Sequence, residues 1–238
     1  MGNNFFRFKQ FTVRQEAAAM KVCVDSVLLG SWADVGNADR ILDVGTGTGL
    51  LALMSAQRNP DAVIDAVEID ESACRQALLN VAESPWSERI NVISDDFRNY
   101  ADNCSSRYDL IISNPPFFTA SLKPIDEKRG MARHNDSLPH RDLAACSARL
   151  LTPCGLLTVT LPPIEAGLLI NDAASYGLYV KRILHVQSLP SKPVYRMFVE
   201  FSKTAGDGDE QFLCIEKADR TDYTDEYKSL TREFYLKF

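Results

Sequence analysis

At 238 residues the chain is long enough for one large domain or two small ones, and 45% hydrophobic with 24% charged residues suits a globular protein with a sizeable core. A net charge of −6 excludes a uniformly basic nucleic-acid binder but leaves room for a local basic face. The six cysteines are scattered, with no CxxC pair and no metal-ligand spacing with the three histidines. They read as reduced thiols of a cytoplasmic protein without a metal site. Met1 to Gln10 carries no charged-then-apolar leader pattern, and no apolar run approaches the length of a membrane span.

Phe5 to Arg14 alternates aromatic and polar residues, which predicts an extended segment or hairpin arm. Asp25 is expected to cap a helix through Trp32 that lies over the carboxyl edge of a sheet. Arg40 to Val44 reads as a buried strand, Gly45 to Gly49 as a turn, and Leu50 to Arg58 as a helix. Strands over 62–68, 90–94 and 108–112 follow, with a helix from Glu71 to Ala82 between the first two. This strand–helix rhythm predicts an α/β protein with a mostly parallel sheet and helices on both faces. Residues 119–139 have no clear period and read as a functional lid or a partly disordered segment. Beyond them come a helix over 142–151, a strand over 155–161, a helix over 163–175 and strands over 177–186 and 194–201. Pro190 and Pro193 leave no room for a crossover helix, so the last two strands should form an antiparallel pair. Residues 211–216 offer one more short strand, and 222–235 read as helical. The expected organisation is a single domain: a covering segment over 1–36, a catalytic core over 37–203 and a C-terminal extension over 204–238 packed on it.

Two motifs carry chemistry. Asp43-x-Gly45-x-Gly47-x-Gly49 stands at a strand-to-helix junction, where glycines admit a close ligand and the helix N-terminus favours negative charge. The dinucleotide fingerprint GxGxxG fails because position 50 is Leu50, which disfavours an oxidoreductase. The spacing GxGxG is similar to the first motif of S-adenosylmethionine (SAM) methyltransferases. In that reading Asp43 lies near the ammonium of the cofactor's methionine. Glu68, ending the next strand, is placed to accept both ribose hydroxyls. Asp95, with Asp96 as the alternative, is placed to take the adenine amine while Phe97 packs on the ring; Asp70 reads as a helix cap. The second motif, Ser113-Asn114-Pro115-Pro116-Phe117, ends a strand abruptly. Proline stiffens the turn and restricts the residue before it. The Asn114 amide oxygen, the Pro115 carbonyl and the Phe117 ring together suit a planar group bearing an exocyclic NH2.

With these residues in order, the chain resembles the class I SAM-dependent methyltransferases, which implies a Rossmann-like sheet of seven strands with the last antiparallel. Asn114-Pro115-Pro116-Phe117 is similar to the fourth motif of enzymes that methylate exocyclic or amide nitrogens. The segments Phe6-x-Phe8-Lys9-Gln10-Phe11, Lys21-Val22-x-x-Asp25-Ser26, Ala132-Arg133-His134 and Tyr223-x-x-Glu226-Tyr227 extend the likeness. They resemble the bacterial family that methylates N6 of adenine 37 in tRNA1(Val); Cys23 stands where threonine is expected. The resemblance implies SAM as cofactor, tRNA as partner, a monomer, and neither metal nor membrane. Lys123, Lys128, Arg129, Arg133, His134 and Arg141 are candidates to meet RNA phosphates, with Lys228 and Arg232 extending that face; Arg7, Lys9 and Arg14 extend it further. Lys21 and Asp25 are candidates to order the N-terminal segment over the cofactor. The competing readings are an rRNA guanine-N2 or release-factor glutamine methyltransferase, and a SAM-binding protein without catalysis.

Overall fold

The computed structural model describes residues 3–16, 20–116 and 138–238. An antiparallel hairpin of β1 (Phe5–Arg7) and β2 (Thr12–Arg14) opens the chain, followed by α1 (Val24–Trp32). The βα repeat then runs β3 (Arg40–Val44), α2 (Leu50–Arg58), β4 (Val63–Glu68), α3 (Glu71–Ala82), β5 (Ile90–Ser94), α4 (Phe97–Asn103) and β6 (Tyr108–Ser113). After the undescribed stretch come α5 (His140–Leu150), β7 (Leu151–Leu161), α6 (Pro163–Ala174), β8 (Tyr179–Gln187), β9 (Val194–Ser202), β10 (Asp209–Cys214) and α7 (Asp225–Thr231).

Eight strands form one sheet in the order β10-β8-β9-β7-β6-β3-β4-β5. All neighbours are parallel except β9, which is antiparallel to both β7 and β8. The expected seven-stranded sheet is thus present, and β10 adds an eighth strand at the edge beside β8. Because successive side chains point to opposite faces, each buried strand feeds two cores. Ile41, Ile64, Leu110 and Ile112 enter one core with Leu28, Leu53, Val81 and Phe234. Leu42, Val67, Ile111 and Leu157 enter the other with Phe97, Leu143 and Leu169. A helix over Phe97–Asn103 was not expected from the sequence; Asp96 caps it by accepting from Arg98 N at 2.7 Å.

Two expectations are corrected. The C-terminal helix covers Asp225–Thr231, not 222–235. Thr224 caps it, and Asp222 instead accepts Lys228 in an ion pair. Asp25 does not cap α1, whose N-cap is Cys23. The Asp25 carboxylate accepts Tyr195 OH at 3.0 Å and Arg196 Nε at 2.6 Å, clamping the first turn of α1 to β9. The other end of α1 is held from β8. Arg182 Nη2 donates to Trp32 O at 3.1 Å, and its guanidinium lies 4.0 Å from the centre of the Trp32 ring. The same guanidinium donates to both oxygens of the fully buried Glu200 at 2.8 Å. Replacing Arg182 removes both of its bonds to that carboxylate and leaves it the 3.6 Å contact with Lys181 Nζ and the Thr158 hydroxyl; breaking a buried pair costs about 3–5 kcal/mol. Arg182→Ala should therefore lower the unfolding free energy in urea by about that amount; a loss under about 1 kcal/mol would show that the pair is not holding α1.

Candidate functional site

β3 and β6 are parallel neighbours with Val44 opposite Ser113. From β3 the sheet grows one way through β4 and β5, and from β6 the other way through β7. Ligands bind in open α/β sheets at such a reversal, beyond the strands' carboxyl ends. The glycine turn follows Val44 and Asn114 follows Ser113, so the two motifs leave the sheet side by side. Ser113 Oγ donates to Val44 O at 2.8 Å and ties their bases together.

A cavity of about 300 Å3 opens there, lined by Asp43's successors Gly45 to Thr48, by Glu68, Asp95, Phe97, Asn114 and Pro115, and by Lys21, Val22 and Ser26 from the N-terminal segment. Gly45 and Gly47 adopt φ of +70° and +58°, and a Cβ on either would project into open space. The turn is anchored from β4: Gly45 N and Thr46 N both donate to Val67 O, at 2.9 and 3.1 Å. Glu68 grips the same turn from its side, with Oε2 accepting Gly47 N at 2.8 Å and Oε1 accepting Asp70 N at 2.9 Å. Each oxygen keeps a second lone pair for a ligand hydroxyl. Asp70 caps α3, accepting Ala73 N at 2.7 Å, as expected.

Asp43 lies fully buried beneath the turn. Its Oδ2 accepts Thr46 Oγ1 at 2.5 Å and Ala52 N at 3.1 Å, while Oδ1 is buried without a hydrogen-bond partner among the described residues. Burial pushes this carboxyl up to about 7, and the nearby charge of Glu68 adds to the shift. An orphaned acceptor at that position suits a cationic ligand. Asp95 and Asp96 divide their tasks. Asp96 is bound to the Arg98 guanidinium, which holds its carboxyl below the usual range, and it caps α4. Among the described residues, the Asp95 side chain is held only through Asn99 Nδ2, at 2.8 and 2.9 Å. Phe97 is buried against the second core and lines the cavity beside them.

Asn114 is half-buried. Its Nδ2 donates to Ser26 Oγ on α1 at 2.8 Å, and its Oδ1 is buried with no partner among the described residues. Pro115 behind it is buried and Pro116 is exposed. The N-terminal segment is built over this edge. Asn80 on α3 donates to Arg14 O and Thr48 O and accepts Arg14 N, joining the hairpin to the glycine turn. Gln15 Oε1 accepts Val22 N at 2.9 Å, which pins the strap carrying Lys21.

The cationic candidates fare unevenly. Phe117, Lys123, Lys128, Arg129, Arg133 and His134, and most of the expected lid, lie outside the described residues. Arg141 donates to Tyr176 OH at 2.7 Å, and neither it nor Lys228 lines the cavity. Arg232 lines a different groove, shared with Asp225, Glu226 and Glu233. Lys9 is exposed and donates to Arg232 O at 2.5 Å and Phe238 O at 2.6 Å, and Arg14 pairs with Glu83. Ser26 was missed as a site residue: it stands 88 positions from Asn114, and no local pattern links them.

Residues 19–128 match the family model of the methyltransferase small domain. A tRNA1(Val) (adenine(37)-N6)-methyltransferase of Bacteroides fragilis is 49% identical over 238 residues, covering all of both chains. Those of Trichodesmium erythraeum and Tolumonas auensis are 46% and 44% identical, again over the whole of this chain. The chain belongs to this methyltransferase family. The fold agrees: a protein described as a predicted O-methyltransferase from Agrobacterium tumefaciens superposes with a TM-score of 0.68 at 19% identity, covering 88% of this chain and 96% of that one. TrmN from Thermus thermophilus gives 0.54 at 22% identity, covering 75% and 48%. Among the described residues no helix is long and apolar enough to cross a membrane, and no cluster of metal-ligating side chains is present.

The raised Asp43 pKa carries a stability signature. Between the ordinary value of 3.8 and about 7 the folded protein holds a proton that the unfolded chain releases, so this group's contribution to stability falls as pH rises through that window. In the ligand-free protein, Asp43→Asn should remove that fall. Melting curves from pH 4.5 to 8 in which the variant keeps the parental slope would contradict the assignment.

Proposed function

We propose that this protein transfers the methyl group of S-adenosylmethionine to N6 of adenine 37 in the anticodon loop of tRNA1(Val). The observation that carries the reading is the Asn114 carbonyl oxygen: buried, unpartnered among the described residues, and beside a glycine cradle that leaves room for a ligand. The naming of the full-length relatives supplies the nucleotide and the tRNA.

The residues present fit SAM. Glu68 offers its remaining lone pairs to the ribose hydroxyls, and Asp95 with Phe97 an acceptor and a ring to the adenine; Asp43, buried beneath the glycine turn with Oδ1 unpartnered among the described residues, would meet the methionine ammonium through water. When bound, the cofactor supplies an electron-poor methyl on a sulfonium. The protein's own task is to make the acceptor nitrogen reactive. The lone pair of an adenine N6 is delocalised into the ring, so the amine is a poor nucleophile. Asn114 Oδ1 and the Pro115 carbonyl accept its two N–H bonds and favour a more tetrahedral nitrogen, freeing the lone pair. The prolines hold those acceptors still, so the site does not reorganise as charge develops. No strong base is needed beforehand, because the proton becomes acidic once the nitrogen is alkylated. An adenine reaches this pocket only by leaving its stack, at a cost of a few kcal/mol. Phe117, next in sequence after Pro116, is assigned to stack on the extruded base, and Lys123, Lys128, Arg129, Arg133 and His134 to meet the loop phosphates.

Incubation of an unmodified tRNA1(Val) transcript with labelled SAM should place one methyl on adenine 37 by nucleoside mass spectrometry; label on another nucleotide would refute the assignment. Asn114→Ala should keep SAM affinity and lose at least about 100-fold in turnover, the usual loss on removing a preorganised polar contact. Glu68→Ala should act the opposite way, weakening SAM in calorimetry, and native affinity in that variant would take Glu68 out of the cofactor site.

A further inference from the structure

We propose that Ser26 is a positioning residue of the methyl-acceptor pocket, acting by fixing which end of the Asn114 amide faces the target amine. The inference rests on the role of Asn114 given above. A primary amide is nearly symmetric in shape, but its two ends differ in hydrogen bonding: the oxygen only accepts and the nitrogen only donates. Turned one way, Asn114 accepts from an exocyclic amine. Turned the other, it sets N–H against N–H, and the lone pair is no longer freed. The two prolines restrict the backbone of Asn114 and Pro115, yet they leave the side-chain amide free to rotate. Something outside the motif must choose its orientation.

Ser26 occupies that place. Its Oγ is the 2.8 Å partner of Asn114 Nδ2, and the serine itself is buried. A hydroxyl that accepts from Asn114 must send its own proton elsewhere. Cys23 Sγ lies 3.3 Å from Ser26 Oγ, one helical turn back at the N-cap of α1. With Ser26 as the donor of that contact, the bonds run in one direction, from Asn114 N–H to Ser26 O–H to Cys23 sulfur, and leave Asn114 Oδ1 as the free acceptor. The anchor is as rigid as its helix. α1 is clamped at its first turn by the Asp25 contacts with Tyr195 and Arg196, and at its last by Arg182 on Trp32. Thus a residue of the cavity wall that is far from the asparagine–proline motif in sequence selects the productive amide rotamer, acting through Asn114.

The test is a double-mutant cycle read in single-turnover methylation of an unmodified tRNA1(Val) transcript, with SAM affinity and melting temperature measured on every variant. Ser26→Ala should lower the methyl-transfer rate about tenfold or more, the worth of one hydrogen bond near the reacting group, with SAM affinity and melting temperature close to the parent. Ser26→Thr, which keeps the oxygen, should restore most of the rate. In an Asn114→Ala background the Ser26→Ala change should cost less than about threefold, since no amide is left to orient. An equal loss in both backgrounds, or no loss in the first, would overturn the proposal while leaving the Asn114 assignment standing. Full activity of Asn114→Ala alone would remove the basis of both.

Discussion

β3 and β6 lie side by side and parallel, with Val44 opposite Ser113 and the Ser113 hydroxyl bonded to the Val44 carbonyl. That register decides where two unrelated loops begin. The glycine turn starts at the end of β3 and the asparagine–proline turn at the end of β6, so the proposed cofactor cradle and the proposed amine acceptor emerge at one level of one sheet edge. A slip of one residue would send the alternating side chains of β6 to the wrong cores, because Leu110 and Ile112 fill one core and Ile111 the other. The hydrophobic pattern of the strand therefore also protects the geometry of the site.

Around that edge the protein leaves a few polar atoms without partners and satisfies their neighbours with care. Asp43 and Asn114 each use one end of the side chain internally and keep the other free. Glu68 bonds the backbone of the very turn it flanks. Unpartnered buried acceptors cost stability; that of Asn114 is in the cavity wall, and that of Asp43 lies beneath the turn that forms it. The opposite end of the sheet shows the contrast. There Asp65 accepts Arg40, Asn91 and Tyr108, at 2.8, 3.0 and 2.6 Å, and Tyr108 in turn meets Tyr100. Burial together with Asp65 drives the Tyr108 hydroxyl well above its ordinary pKa, so it stays a neutral donor.

Much of this was legible in the residues. The strand–turn–helix around Asp43 to Arg58, the cap at Asp70 and the antiparallel pair after Pro190 follow from local chemistry that tertiary contacts do not override. The reading failed where a residue had two competing uses. Asp25 has the composition of a cap, but Tyr195 and Arg196 claim it from β9. Asp95 and Asp96 are equivalent in sequence and separate only because Arg98 folds back onto Asp96. Lys9 and Lys228 look like surface cations in sequence, yet one serves backbone carbonyls and the other pairs with Asp222.

Local order in the chain determined the α/β class, the turn at Gly45 and Gly47 and the proposed acceptor at Asn114, because each depends on residue types within a few positions of one another. Tertiary structure alone decided what stands behind them. Ser26 reaches Asn114 across 88 positions, and Asn80 reaches Thr48 across 32. Such pairings arise when helices dock on a sheet, and no short-range periodicity encodes which side chain a docked helix will bring to the edge.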